Sequence, residues 1–170
     1  MSLFQVRSWW QHSPSNNEEY DSNHLVVGNA DNNPENKEKL VTASLEGLIR
    51  IFAPETKGYN VEHLVFEENM GAPICQIALG GFVSLSGVCE DKGIFLTSEC
   101  FLFVVSNDPR LYLAILHPKE LCVYLITPIS SVSDQLQYYE LKLQYKHILE
   151  RSAYNMIYGP FGKKRWVFFF

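Results

Sequence analysis

The chain has 170 residues, of which 46% are hydrophobic and 14% aromatic, and its 14 basic and 19 acidic side chains leave a net charge of −5. That apolar content is enough for a real core and excludes general disorder, and the length permits one domain or a piece of a larger one. The acidic balance gives no support to nucleic-acid binding, which ordinarily shows a basic face. The longest apolar stretch, 94–105, is interrupted by Ser98 and Glu99 and falls short of the roughly 20 residues that span a bilayer as a helix.

In chain order, Met1–Gln11 carries Phe4, Val6, Trp9 and Trp10 with partial alternation. It reads as a strand, with a short amphipathic helix as the alternative. The paired tryptophans are expected to pack on a neighbouring element of the same fold rather than to mark a binding patch. This start has no apolar core long enough for a signal peptide. His12–Asn23 is a polar loop, and its adjacent acids Glu18 and Glu19 are not placed for acid–base work. His24–Ala30 is a short strand ending in Gly28, and Asp31–Glu38 is a solvated loop with Asn and Pro turn chemistry.

Lys39–Pro54 is a hairpin. Val41 and Ala43 alternate with Leu40, Thr42 and Ser44. A turn falls at Glu46-Gly47, and Leu48, Ile49, Ile51 and Phe52 surround Arg50. Arg50 is expected on a sheet face, towards either a neighbouring sheet or a loop. Glu55–Asn60 is a loop, Val61–Glu67 a strand, Asn69–Pro73 a turn and Ile74–Phe82 a strand. Two strands alone are marginal in water, so the hairpin needs these neighbours.

The pattern then repeats. Leu25–Ala30, Ile77–Phe82 and Met156–Phe161 share the order apolar, any, apolar, Gly, any, Ala or Phe. The hairpin is echoed by Leu111–Pro128, with its turn at His117-Pro118-Lys119-Glu120. Leu64–Phe82 and Leu143–Phe161 both run strand, turn, strand, Gly-x-Phe over 19 residues. Four short strands recurring in sequence indicate a β-propeller, in which each unit buries its faces only against its neighbours. A β-sandwich is the alternative.

One interval does not fit. Gly28 to Leu40 is 12 residues, whereas Gly80 to Leu111 is 31. The excess corresponds to 88–106, an insertion that reads either as an extra hairpin (Ile94–Thr97 and Phe101–Ser106) or as a translated intron. On the second reading the tail 166–170 is aberrant read-through. Transcripts that never join codon 87 to codon 107 would exclude the intron.

No catalytic or ligand-binding constellation stands out. Cys75, Cys89, Cys100 and Cys122 match no zinc or redox spacing; three of them sit in apolar runs and read as small buried hydrophobes, and the protein reads as reduced and cytosolic. His12, His24, His63, His117 and His147 show no metal-ligand spacing. Asp31, Asn32 and Asn33 lack the spaced ligands of a calcium loop. Nucleophile-elbow and phosphate-loop motifs are absent. Polar residues on the innermost strands, where propeller enzymes carry their chemistry, reduce to Gln76 and Asn155. The expectation is no enzyme, no catalytic residue, no cofactor, no metal and no small-molecule substrate.

Four stretches together carry a family resemblance: MSLFQVRSWW at 1–10, GLIRIFAP at 47–54, LAILHPKELCVY at 113–124 and YKHILERSAYNMIYGPFG at 145–162. In their order they resemble the N-terminal propeller of the parathyroid-hormone-responsive subunits of the BBSome, the ninth Bardet–Biedl syndrome proteins. The similarity covers most of 1–165, with 88–106 as a gap. It implies an all-β partial β-propeller: the first two blades and the start of a third of a seven-bladed ring. It also implies a non-catalytic scaffold subunit in ciliary membrane-protein trafficking and cilium assembly. The implied partners are the other BBSome subunits, with indirect, peripheral membrane association through an Arf-like GTPase. The implied locations are the cilium, the ciliary base and the cytoplasm. A propeller interaction module of another cytosolic complex is the alternative.

Overall fold

The structure, a computed structural model, describes residues 8–14, 17–82, 101–103, 110–129, 138–161 and 164–169. Among the described residues there are eleven strands: β1 (Leu25–Gly28), β2 (Lys39–Ala43), β3 (Leu48–Phe52), β4 (Leu64–Asn69), β5 (Gln76–Gly80), β6 (Phe101–Phe103), β7 (Tyr112–His117), β8 (Glu120–Ile129), β9 (Tyr138–Ile148), β10 (Ile157–Phe161) and β11 (Lys164–Phe169). Among the described residues the only helical element is a single 3-10 turn, Val61–His63, just before β4. The fold is all-β, as the alternation of apolar residues implies.

The strands form three antiparallel sheets. The first runs β1-β2-β3-β4, the second β5-β7-β8-β9 and the third β10-β11-β6. In the first hairpin Val41 pairs with Ile51 and Ala43 with Ile49. The turn closes where the Gly47 amide donates to the Ser44 carbonyl. Gly47 has φ +94, and a Cβ there would lie 2.4 Å from the Ala72 carbonyl oxygen. Only glycine meets both demands.

The sheets stack through two cores. Val41, Ala43, Ile49 and Ile51 of the first sheet pack against Ile77, Leu113 and Ile115 of the second. The opposite face of the second sheet, with Tyr112, Ala114, Leu116, Leu121 and Val123, packs with Phe82, Leu149 and Met156. Every residue of β7 is therefore buried, because alternate side chains point into different cores. This succession of stacked four-stranded sheets is that of a partial, propeller-like β fragment. The motif glycine at 80 has a packing reason: a Cβ there would stand 2.8 Å from the Phe82 ring and 3.0 Å from that of Tyr158. In Gly80-Gly81-Phe82 the first glycine thus makes room for the ring two residues on.

Several boundaries differ from the sequence reading. Ser8–Gln11 is irregular rather than strand, and 1–7 lie outside the described residues. Val61–His63 is a 3-10 turn capped by Asn60, so the strand expected from Val61 begins at Leu64 and runs on to Asn69. The strand expected from Leu143 begins at Tyr138, because β8 and β9 stay paired from Glu120↔Ile148 to Ile129↔Tyr138. Asn155, expected on an innermost strand, lies in the irregular stretch 153–156, and the strand starts at Ile157. Within the inserted segment, Ile94–Thr97 lies outside the described residues, whereas Phe101–Phe103 pairs with β11, Phe101 opposite Phe169.

Candidate functional site

Polar side chains at the ends of the strands join one sheet to the next. The Asp21 amide donates to His24 Nδ1 at 3.0 Å. His24 Nδ1 is therefore the acceptor and Nε2 carries the proton, which meets the Cys75 carbonyl of the second sheet at 3.2 Å. Gln76 acts similarly one sheet on. Its Nε2 donates to the Met156 carbonyl at 2.9 Å, and its Oε1 accepts from the Met156 amide at 2.6 Å. Asn32 brackets Leu111 in the same way, accepting from its amide at 2.7 Å and donating to its carbonyl at 3.0 Å. A side-chain amide imitates a strand's donor–acceptor pair and extends the ladder between sheets.

The Asp31-Asn32-Asn33 turn is accordingly structural. Asp31 Oδ2 meets Lys39 Nζ at 3.0 Å and accepts from the Tyr139 hydroxyl at 3.1 Å. The two charged side chains are 3% and 5% exposed, which makes this an ion pair inside the core between the first two sheets. Burial, then the Asp31 charge, pushes the Tyr139 hydroxyl above its ordinary range. Asn33 Oδ1 accepts from the Glu35 amide within the turn.

The other face of the first sheet carries Leu25, Val27, Leu40, Thr42, Arg50 and Phe52 in register. The Arg50 guanidinium holds Glu18 through both terminal nitrogens at 2.6 and 2.8 Å. Its Nε donates to Glu67, directly opposite on β4, at 2.6 Å, and Nη1 donates to the Tyr20 hydroxyl at 2.9 Å. Arg50 thus faces a loop, not the second sheet. These hydrogen bonds, Glu18 first, push its pKa further up. Burial and the bond to Glu18 push Tyr20 up to about 12.

The N-terminal segment completes this face. Trp10 packs edge-on against Phe52 and Tyr59, and its indole N–H donates to His63 Nδ1 at 3.0 Å. His12 lies 4.9 Å from both the Phe52 and Tyr59 rings, and burial, then the Arg50 charge, lowers its pKa. Trp10 packs within the fold, as expected of it, whereas Trp9 is 52% exposed. Between segment and sheet lies a groove of about 490 Å³ lined by Trp10, His12, Tyr20, Leu25, Leu40 and Phe52. Leu25 and Val27 are 52% and 57% exposed, so this face retains apolar surface.

One cluster was not visible in the spacing. His117, Glu120 and Cys122 place one ligand-type atom each within 4.8 Å of one another. The two-residue turn Pro118-Lys119 sets His117 opposite Glu120, and Cys122, two residues on, shares their face. The useful signal was the hairpin itself, since i, i+3 and i+5 converge only when a tight turn folds them together. Cys75 and Cys122 are free thiols, both raised in pKa mainly by burial. Cys89 and Cys100 lie outside the described residues.

A family model described as PTHB1 N-terminal matches residues 1–169. The chain is 33% identical over 166 residues to Protein PTHB1 of Xenopus laevis, covering 95% of this chain and 17% of that protein. It is 32% identical over 166 residues to Protein PTHB1 of Mus musculus and to that of Homo sapiens, covering 16% of each. The chain therefore spans 16–17% of the length of these curated relatives.

Proposed function

The chain belongs to the PTHB1 N-terminal family, and on that premise we propose that it is a non-catalytic scaffold of the BBSome, acting in ciliary membrane-protein trafficking and cilium assembly. The observation that carries the reading is the match along nearly the whole chain, 1–169. The disposition of polar groups supports it. His24, Asn32 and Gln76 are bonded to the backbone of the following sheet, and Asp31, Lys39 and Arg50 are held in ion pairs. Side chains spent in this way hold a surface rigid and leave little for acid–base chemistry. The partners on this reading are other BBSome subunits, with peripheral membrane association through an Arf-like GTPase. The locations are the cilium, the ciliary base and the cytoplasm, and the ring has seven blades.

The test is affinity purification of the tagged chain from ciliated cells, followed by size exclusion and identification of co-eluting proteins. The reading predicts stoichiometric co-elution of BBSome subunits. Co-elution with a different defined complex, and none of those subunits, would favour an interaction module of another assembly and contradict the reading.

A further inference from the structure

The geometry points to a zinc-binding site at the tip of the β7–β8 hairpin, made by His117, Glu120 and Cys122. Imidazole nitrogen, thiolate sulfur and carboxylate oxygen are the three donor types that Zn²⁺ takes in proteins. Bond lengths of about 2.0–2.3 Å place donors around one zinc ion roughly 3.2–3.8 Å apart. The three groups already converge within 4.8 Å, so closing the set asks for shifts of only about 1 Å between donors. Their backbone is fixed by the tight turn and by ladder pairs on both sides of it, Leu116↔Leu121 and Ile115↔Cys122.

The surroundings match those of a ligating histidine. His117 Nδ1 lies 2.7 Å from the Pro73 carbonyl and must donate its proton there, since a carbonyl only accepts. This fixes the tautomer and leaves the Nε2 lone pair as the ligand, the outer-sphere arrangement usual for zinc-bound imidazoles. His117 and Cys122 are each 3% exposed, so the donors are held among packed neighbours, not displayed on mobile side chains. The Lys146 ammonium, 2.5 Å from Glu120 Oε2, occupies the position of positive charge. Lys146 is 45% exposed and can swing into water.

On binding, the Cys122 S–H bond breaks and its proton goes to solvent. A Zn–S bond forms, Lys146 leaves Glu120, and one water completes the tetrahedron.

The experiment is zinc titration of the purified, reduced 170-residue chain, with Co²⁺ as a spectroscopic substitute and mass-spectrometric mapping of alkylation at each cysteine. The expected result is one Zn²⁺ per chain, a thiolate-to-Co²⁺ charge-transfer band and at least tenfold slower alkylation of Cys122 with zinc present. Cys122→Ser should weaken binding at least tenfold, whereas Cys75→Ser should leave it unchanged. Lys146→Ala, at an exposed position that tolerates truncation, should tighten binding severalfold by removing the competing cation. Failure of the folded wild-type chain to take up one equivalent would overturn the proposal. So would unprotected Cys122 at zinc saturation, or Lys146→Ala binding no tighter than wild type. If Cys122→Ser does not fold, the wild-type protection and the Lys146→Ala affinity decide the matter.

Discussion

Asp31 and Lys39 show what a buried charge demands of its neighbours. The pair lies between the first two sheets, with Tyr139 from β9 completing it. Removing one partner strands the other charge in the core, at a cost of about 3–5 kcal/mol, whereas replacing both with apolar residues is often near neutral. Asp31→Ala should therefore destabilise the chain by about that amount, and Asp31→Leu with Lys39→Met should recover most of the loss in urea unfolding. A single variant as stable as wild type would show that the pair is not buried as described. Neither role was legible in the sequence. Asp31-Asn32-Asn33 looks like any solvated turn, because Asp31 meets Tyr139 across 108 positions of chain and Asn32 meets Leu111 across 79. Spacing carries no information over such separations. Gln76 stood out only as a polar residue on an inner strand, and its bonds to Met156 make it a fastener.

At the scale of elements, the segment around Trp10 and His12 is held to the first sheet by aromatic packing and by the indole bond to His63. His63 Nδ1 accepts the Trp10 indole proton at 3.0 Å, and His12 packs on the Phe52 and Tyr59 rings. The pKa of His12 is lowered in the folded chain, by burial first. A depressed histidine pKa means that the unfolded state binds more protons, so this contribution is fully present above the ordinary value of 6.5 and is lost as pH falls through the lower folded value. Trp10 stacks on His12 with ring centroids 6.3 Å apart, so the Trp10 indole N–H resonance should move or broaden as pH falls below 6.5, and a resonance constant there would contradict this packing.

The strands themselves were largely legible. The two hairpins, their turns and the Gly-x-Phe ends followed from alternation and glycine placement. What failed was local competition. Asn60 caps a 3-10 turn inside a run that looks extended, and the β8–β9 ladder reaches back to Tyr138 through pairing that alternation alone does not announce. Ser8–Gln11 is apolar enough for a strand, yet its aromatic ring at Trp10 is satisfied by packing on Phe52 without a ladder.

For the whole molecule, order matters more than any one sheet. Each sheet has two faces, and the second sheet covers both by lying between the first and the elements around Phe82 and Met156. The first sheet covers one face with the second sheet and the other with the N-terminal segment, leaving Leu25 and Val27 more than half exposed. This gradient from centre to edge is what nearest-neighbour stacking produces. On the proposed scaffold reading, the shared cores supply the rigidity and leave the uncovered faces and loops open to solvent. The relatives are several times longer than this chain.

Native-state hydrogen exchange, read residue by residue, tests this stacked arrangement most directly, because protection follows burial and ladder pairing together. The account predicts that the amides of β7, buried on both faces and paired on both edges, exchange most slowly of all, and those of β1 and β4 at the sheet edges clearly faster. Exchange of β7 as fast as β4 would mean that the second sheet is not enclosed, and would contradict the stacked arrangement.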